Sequence, residues 1–170
     1  MNFEKYIKEV PDFPKKGIMF KDCTPILENP VAFKEVIDQF GQFAKEKGAN
    51  IVVGPEARGF IFGTPLAVCN NLGFVPVRKP GKLPREVISQ EYELEYGTDT
   101  LEMHKDAIKK GDKVVICDDL LATGGTVKAI IEMVNKLGGE VVGCCFLIEL
   151  DFLAGREKLG NTPICSLIHY

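Results

Sequence analysis

The sequence predicts an α/β protein whose mostly parallel sheet is flanked by helices on both faces. Short runs of β-branched residues alternate with stretches of helical periodicity, and these runs are apolar along nearly their whole length. Strands of this kind are covered on both faces, which is typical of parallel sheets. With 170 residues and no visible repeat or low-complexity linker, the chain is predicted to form a single domain, 1–170.

The individual elements follow from periodicity and from capping residues. Residues 31–47 carry apolar side chains at helical spacing, with Asn29 as the cap, Pro30 at the first position and Gly48 at the end. Two more helices are predicted, over 59–73 and 127–137. Buried strands are predicted at 51–54, 74–79, 113–119, 140–150 and in the PICSLIH segment near the end of the sequence.

Residues 88–96 have a different pattern. The even positions are mostly apolar or aromatic, whereas the odd positions are serine or glutamate, and a similar alternation returns at 101–104 after a Gly-Thr-Asp turn. Alternation with a period of two is typical of a strand that is buried on one face only. The segment therefore predicts an amphipathic hairpin outside the parallel sheet, with one acidic face, that serves as a mobile lid over a site.

Composition narrows the class of function. The formal net charge of −3 argues against general nucleic-acid binding, which needs a basic face. No signal peptide is recognised, and no apolar run approaches the roughly 20 residues that cross a bilayer, so no membrane partner is expected. The six cysteines form no C-x-x-C pair and lie mostly in apolar runs, which favours reduced core thiols and a cytoplasmic location. His104 and His169 have no ligand-spaced partners and are expected to be structural or exposed.

The segment VVICDDLLATGGTV, 114–127, carries the chemistry. It joins a strand to a helix through two carboxylates, here called the acidic pair (Asp118 and Asp119), and a turn of small residues. We call this turn the Thr-Gly-Gly-Thr turn; it consists of Ala122, Thr123, Gly124, Gly125 and Thr126. Amide groups at the start of a helix bind phosphate, and carboxylates accept hydrogen bonds from vicinal hydroxyls. The combination predicts a sugar phosphate bound beyond the carboxyl end of a parallel strand.

Other phosphate-binding motifs are missing from the sequence. It contains no G-x-x-x-x-G-K-[ST] and no G-x-G, so neither a P-loop nor a dinucleotide fingerprint is predicted. The segment VVICDDLLATGGT instead resembles the phosphoribosyl pyrophosphate motif of the type I phosphoribosyltransferases. That resemblance implies that the acidic pair holds the ribose 2′- and 3′-hydroxyls and that the Thr-Gly-Gly-Thr turn binds the 5′-phosphate.

Further segments resemble the adenine-specific members of this family, in order and over essentially the whole chain. They are PDFPKKGIMFKDCTPIL (11–27), GPEARGFIFG (54–63), VPVRKPGKLP (75–84), YELEYGTDTLEMHKDAI (92–108) and the ending IELDFLAGREKL…SLIHY. The resemblance implies purine salvage, in which adenine and phosphoribosyl pyrophosphate give AMP and pyrophosphate. It also implies a hood of about residues 1–30, a lid of about residues 82–106, and a homodimer.

The resemblance assigns roles to the remaining candidate residues. The loop after the first sheet strand, with a strained or non-proline cis peptide expected near Glu56-Ala57, would bind pyrophosphate, as would four cations: Arg58, Arg78, Lys79 and Lys82. Arg85 belongs to the same basic stretch of sequence. Mg²⁺ is the implied cofactor, held mainly by pyrophosphate oxygens and not by protein side chains.

The last expectations implied by the resemblance concern the residues that bind the base and the residues of the catalytic loop. Phe20 would stack on adenine, the backbone of Met19 and Lys21 would bind its edge, and Leu150 would close the apolar side. Members of this family often have arginine at the position of Lys21, which matters little for a backbone contact. Glu95 matches the catalytic acid of the family's flexible loop, although Glu91 and Glu93 share its strand face, and Tyr96 would shield the closed site.

Two alternative functions remain open at this point. A 6-oxopurine phosphoribosyltransferase would share the sugar-phosphate motif. A non-catalytic regulator could use the same fold to sense phosphoribosyl pyrophosphate.

Overall fold

The structure, a computed structural model, describes residues 1–94 and 97–170. In these residues nine strands occur in chain order: β1 (Lys8–Val10), β2 (Phe20–Asp22), β3 (Ile51–Pro55), β4 (Gly73–Val77), β5 (Val87–Glu93), β6 (Thr98–His104), β7 (Lys113–Leu121), β8 (Glu140–Glu149) and β9 (Ile164–His169). The α-helices are α1 (Thr24–Glu28), α2 (Pro30–Glu46), α3 (Arg58–Cys69) and α4 (Gly125–Lys136). Short 3₁₀ helices cover Phe3–Tyr6, Asp151–Leu153 and Gly155–Leu159.

The centre of the fold is a five-stranded sheet in the order β4-β3-β7-β8-β9, in which every neighbouring pair is parallel. The chain passes from β3 to β4 on one side and later returns to β7 on the other side of β3. This reversal makes the carboxyl ends of β3 and β7 a topological switch point, where ligands bind in open α/β sheets.

Helices cover both faces of this sheet, and the predicted fold class is confirmed. On one face the core contains Phe40 of α2 and Phe62 of α3, both fully buried. On the other face it contains Ile130 of α4 and Met103 of β6, also fully buried. Burying one such side chain stabilises the fold by about 1.5–3 kcal/mol, which explains why the apolar β-branched runs become central strands.

The start of α2 agrees with its sequence signals. The side-chain oxygen of Asn29 accepts hydrogen bonds from the N–H groups of Val31 at 3.1 Å and Ala32 at 2.9 Å. Two of the amides that a helix start leaves without partners are thereby satisfied. The predicted helix and its cap are confirmed.

The predicted hairpin is also present. β5 and β6 pair antiparallel from Val87–His104 to Glu93–Thr98. Ile88, Gln90 and Tyr92 are half-buried, whereas the intervening serine and glutamates are exposed, as the alternation indicates. The hairpin packs on α4, where Lys136 Nζ donates to Gln90 Oε1 at 2.6 Å.

Three predicted boundaries were wrong. The helix expected over 59–73 ends at Cys69, because Asn71 adopts a left-handed conformation with φ of 57° and turns the chain toward β4. The strand expected over 74–79 ends at Val77, and Arg78 forms only an isolated bridge to Glu102.

The third correction concerns the strand expected over 113–119. β7 continues to Leu121, because Leu120 and Leu121 pair with Ile148 and Glu149 of the long strand β8. The acidic pair therefore lies inside the strand and not just beyond its end.

Within the described ranges, no helix is both long and apolar enough to cross a membrane.

Candidate active site

The acidic pair lies at the centre of the switch point. Asp119 is 7% exposed and Asp118 is half-buried, and the Asp119 N–H donates to Asp118 Oδ1 at 2.9 Å. Burial raises the pKa of Asp118 well above its ordinary value, and the charge of Asp119 acts in the same direction. A ligand with hydroxyl donors would relieve this cost by hydrogen bonding to the ionised carboxylates.

Arg58, at the start of α3, joins the ends of β3 and β7. Its Nε donates to Asp119 Oδ2, and its guanidinium lies 5.7 Å from the centroid of the Phe20 ring. Partial burial lowers the pKa of Arg58, but the carboxylates of the acidic pair outweigh this effect and raise it above its ordinary value. The arginine is therefore charged and links the acidic pair to the aromatic side chain of β2.

The Thr-Gly-Gly-Thr turn lies directly after β7 and opens α4. Gly124 has φ of 81°, a conformation that favours glycine, and it is the first residue before the helix. The turn lines a cavity of about 190 Å³ together with Arg58 and the acidic pair. The amide groups at the start of α4 have no partner within the helix, and the cavity lies at this end of the helix. This arrangement suits a phosphate.

A second cavity, also of about 190 Å³, adjoins the first. It shares Arg58, the acidic pair and Thr126 with the first cavity, and is further lined by Glu56, Ala57, Lys79, Tyr92 and others. The Glu56–Ala57 peptide bond is cis, at the position where the resemblance implied such a bond. In the described part of the chain the amides of Ala57 and Arg58 form no backbone hydrogen bond, so they are available to an anion.

Three of the predicted cations, Arg78, Lys79 and Lys82, are here called the basic cluster: Lys79 lines this second cavity, and Arg78 and Lys82 contact Glu56, which also lines it. Glu56 organises it: its carboxylate accepts from Arg78 Nε at 3.2 Å, the Lys79 N–H at 2.8 Å and Lys82 Nζ at 2.5 Å. The hydrogen bond from Lys82 lowers the pKa of Glu56 below its ordinary value. Arg85 is not part of the cluster, because it pairs with Asp106 at 3.1 Å.

Glu56 itself offers little to an anion. Its carboxylate is committed to cations, and its N–H donates to the Val77 carbonyl at 2.9 Å. The amides of the following two residues are better candidates than Glu56, which serves to hold the cations in place.

The residues expected to bind the base lie at the start of β2, with Met19 directly before it, and directly after β8. Met19 is half-exposed, and Phe20 meets Phe13 edge-on with ring centroids 5.0 Å apart. The Lys21 side chain turns away toward Glu9 and the ring of Tyr170, 3.8 Å from its ammonium, which leaves the backbone of β2 as the surface presented to a ligand. The Leu150 N–H donates to the Leu121 carbonyl at 3.0 Å and thereby joins the base side to the end of β7.

Glu95 and Tyr96, the predicted catalytic acid and its neighbour, lie outside the described residues. The adjoining strand ends close to the site. A Cβ built on Gly125 would lie 3.4 Å from both the Glu93 carbonyl oxygen and the Tyr92 ring, so β5 reaches the Thr-Gly-Gly-Thr turn.

Three contacts were not anticipated from the sequence. Asp99 of the hairpin pairs with Lys79, and Tyr92 accepts from the same ammonium at 3.3 Å. Gly155 packs its backbone against the Thr-Gly-Gly-Thr turn so closely that a Cβ there would lie 2.1 Å from the Ala122 carbonyl oxygen. The only local signal for Gly155 was a glycine in a polar segment between two strands, and for Asp99 there was none.

Comparisons with known proteins agree with this geometry. A family model described as phosphoribosyl transferase domain matches residues 23–162. A protein named adenine phosphoribosyltransferase from Clostridium novyi (strain NT) is 58% identical over 170 residues, covering 100% of this chain and 99% of the relative.

Solved structures give the same result. The crystal structure of adenine phosphoribosyltransferase from Thermoanaerobacter pseudethanolicus is 55% identical with a TM-score of 0.96, covering 99% of this chain and 98% of that one. The enzyme from Saccharomyces cerevisiae, complexed with D-2,5-dideoxy-2,5-imino-altritol 1,6-bisphosphate and adenine, is 44% identical with a TM-score of 0.92, covering 97% of this chain and 96% of that one. With a family model over most of its length and full-length relatives above half identity, this chain belongs to the adenine phosphoribosyltransferase family.

Proposed function

We propose that the protein transfers the 5-phosphoribosyl group from phosphoribosyl pyrophosphate to adenine, giving AMP and pyrophosphate, as a step of purine salvage. The observation that carries the proposal is the pair of adjoining cavities. One is lined by the amide-rich Thr-Gly-Gly-Thr turn and the other by Glu56, Ala57 and Lys79, and both share Arg58 and the acidic pair. Membership of the adenine phosphoribosyltransferase family supports the same reaction.

The substrate would lie across both cavities. The 5′-phosphate binds residues 122–126, and the acidic pair accepts hydrogen bonds from the ribose 2′- and 3′-hydroxyls. The pyrophosphate lies on the side of Ala57, Arg58 and the basic cluster, whose positive charges stabilise it as it departs.

Mg²⁺ completes the proposal for the pyrophosphate side. Carboxylate oxygens are ligands that Mg²⁺ accepts; the acidic pair lines both cavities, and Glu56 lines the second one only. Among described residues, a cluster of three potential ligands occurs only at Glu149, Asp151 and His169, outside the lining of either cavity. The ion would therefore be held mainly by substrate oxygens, where it neutralises the charge of the pyrophosphate.

Adenine is the proposed base. Phe20 stacks on the purine, Leu150 covers its apolar side, and the backbone at Met19 and Lys21 binds the N1 and 6-amino edge. A backbone carbonyl accepts from a 6-amino group but opposes a 6-oxo group. Buried polar groups left unpaired in this way reject an analogue by roughly 10⁴-fold.

Glu95 is the proposed acid/base. Substitution at the ribose C1′ passes through a state with oxocarbenium character, which a nearby carboxylate stabilises while it exchanges a proton with the purine. The hairpin would act as the lid, with Tyr96 over the closed site, and residues 1–30 as a hood within a single domain.

The assembly and location of the protein are further parts of the proposal. A homodimer is supported by family membership, together with an exposed apolar stripe on α3 at Ile61 and Val68. A cytoplasmic location is supported by the six cysteines, all of which are free thiols.

The test is an AMP-formation assay in which adenine, hypoxanthine and guanine are supplied in parallel with phosphoribosyl pyrophosphate and Mg²⁺. Nucleotide should form from adenine alone. Comparable rates with hypoxanthine or guanine would instead identify a 6-oxopurine enzyme. Binding of phosphoribosyl pyrophosphate without turnover of any base would identify a non-catalytic sensor.

A further inference from the structure

Glu149, the last residue of β8, is a buried carboxylate that accepts three hydrogen bonds from two side chains. It is 4% exposed and accepts from Arg156 Nε at 2.9 Å, Arg156 Nη2 at 2.6 Å and Ser166 Oγ at 2.5 Å. A bidentate pair of this kind fixes direction as well as distance. The hydrogen bonds from Arg156 and Ser166 lower the pKa of Glu149 against the effect of its burial.

The same carboxylate lies near His169 and Asp151, an arrangement that invites comparison with a metal site. The ligand atoms of the three residues lie within 4.8 Å of one another. Both oxygens of Glu149 nevertheless already accept hydrogen bonds, Oε1 from Arg156 Nε and Oε2 from Arg156 Nη2 and the serine hydroxyl, and His169 Nδ1 is 3.9 Å from the glutamate but 3.0 Å from Asp151. The cluster is therefore a hydrogen-bonded network around the Arg156–Glu149 ion pair.

Arg156 belongs to the segment that supports the Thr-Gly-Gly-Thr turn. Its neighbour Gly155 contacts the turn through backbone atoms: a Cβ on Gly155 would lie 2.1 Å from the Ala122 oxygen and 3.1 Å from the Gly124 nitrogen. The contact is mutual, since a Cβ on Gly124 would lie 2.5 Å from the Gly155 oxygen. The position of the turn thus depends on where the Gly155 backbone lies.

We infer that Arg156 and Glu149 are positioning residues for the 5′-phosphate: their ion pair holds the Gly155 backbone against the Thr-Gly-Gly-Thr turn and so fixes the direction of the turn's amide groups. The inference rests on the proposed function of that turn. Neither residue lines either cavity, so both act through Gly155. A ligand-binding loop without such support loses affinity when it shifts by an ångström or less.

The inference predicts that Arg156→Met selectively weakens phosphate recognition. We expect the KM for phosphoribosyl pyrophosphate and the dissociation constant of ribose 5-phosphate, measured by calorimetry, each to rise by about tenfold, while kcat and the KM for adenine change by less than about twofold. Arg156→Lys should recover part of the affinity, because an ammonium keeps the charge but not the bidentate geometry.

Two controls separate positioning from general loss of stability. Ser166→Ala removes a hydrogen bond to the same carboxylate from β9 but leaves Arg156 paired, so it should lower the melting temperature without changing phosphate affinity. Lys34→Met removes an exposed ion pair on α2 and should change neither the melting temperature nor the phosphate affinity. If Arg156→Met lowers the melting temperature but leaves ribose 5-phosphate affinity unchanged, the inference is wrong.

A second variant keeps the test decisive if Arg156→Met does not fold. Gly155→Ala disturbs the contact between Gly155 and the Thr-Gly-Gly-Thr turn directly. It should raise both the KM for phosphoribosyl pyrophosphate and the dissociation constant of ribose 5-phosphate. A wild-type protein that binds ribose 5-phosphate but makes no AMP, together with weaker binding by Arg156→Lys and Gly155→Ala, would refute the proposed function and retain the positioning role. Full ribose 5-phosphate affinity in both variants would overturn the positioning role even if the wild type makes AMP.

Discussion

The Thr-Gly-Gly-Thr turn and the basic cluster serve two adjoining cavities, but they present their charge in different ways. The turn uses backbone amides, which Gly124 directs and the Gly155 backbone supports. The basic cluster uses long side chains, and each of its cations contacts a carboxylate of the protein: Arg78 and Lys82 contact Glu56, and Lys79 contacts Asp99.

This difference has a consequence for the ligand. A phosphate reaching the turn finds donors already in place, so little reorganisation is needed. A pyrophosphate reaching the basic cluster competes with carboxylates for the same cations. Under the proposed function, the 5′-phosphate, which stays on the product, is held by the Thr-Gly-Gly-Thr turn, here called the rigid end. The pyrophosphate, which leaves, is held by the basic cluster, here called the exchangeable end.

Gly124→Ala should have the largest effect, because it damages the rigid end. The new Cβ would lie 2.5 Å from the Gly155 oxygen in a backbone conformation with φ of 81°. We expect the KM for phosphoribosyl pyrophosphate to rise by about 100-fold in steady-state kinetics. Gly81→Ala is the matched control in the loop of the basic cluster, since Gly81 has the same φ of 81° but open space around it. Equal effects of the two variants would show that packing on Gly155 is unimportant.

Glu95→Gln tests the proposal that the hairpin supplies the chemistry between the two ends. The hairpin contacts both of them, through Tyr92 at Lys79 and through β5 at Gly125. We expect kcat to fall by about 100-fold with little change in substrate affinity, because a carboxamide cannot exchange the proton. Glu93→Gln makes the same chemical change two positions earlier in the sequence and should retain activity. Turnover near the wild-type value in Glu95→Gln would remove this residue from the mechanism.

Asp118→Asn should weaken the hold on the sugar between the two ends. Losing a charged acceptor should raise the dissociation constant of ribose 5-phosphate by about tenfold in calorimetry.

The same variant, Asp118→Asn, should be more stable than the wild type. Burial raises the pKa of Asp118, so its ionisation costs folding free energy; this cost is full above the raised pKa and declines as the pH falls from there toward the ordinary pKa. The variant should therefore melt higher than the wild type at alkaline pH, and the difference should shrink toward acidic pH; a constant difference would contradict the burial effect.

Asp99→Asn should have the smallest effect, and it should lower the KM for phosphoribosyl pyrophosphate instead of raising it. The reason is that it frees Lys79, a cation at the exchangeable end. Lys79 and Asp99 are both about one-third exposed, so solvent screening limits the gain. We expect the KM for phosphoribosyl pyrophosphate to fall by about threefold at low salt, and by less at high salt. Asp106→Asn makes the same charge change at the exposed pair with Arg85 and should leave KM unchanged. A higher KM in Asp99→Asn would mean that the carboxylate orients Lys79 instead of competing for it.

Several parts of the molecule could be predicted because their causes are local. The cap of α2 depends on Asn29 and two amides within three residues of it. The hairpin follows from the alternation in β5, and the acidic pair and the Thr-Gly-Gly-Thr turn follow from one continuous segment. The boundaries that were wrong depend on distant partners, as where β8 extends β7 to Leu121.

By itself, the sequence determined the order of strands and helices, the family and the chemical groups available to the site, because periodicity, capping and motif spacing act over a few neighbouring residues. Only the tertiary structure decided which of these groups meet. Arg58 and Asp119 are 61 positions apart and become partners through the reversal of strand order at β3 and β7. Lys79 meets Asp99, and Gly155 meets the Thr-Gly-Gly-Thr turn, because packing brings remote backbone and side chains together, and no local pattern in the sequence encodes those distances.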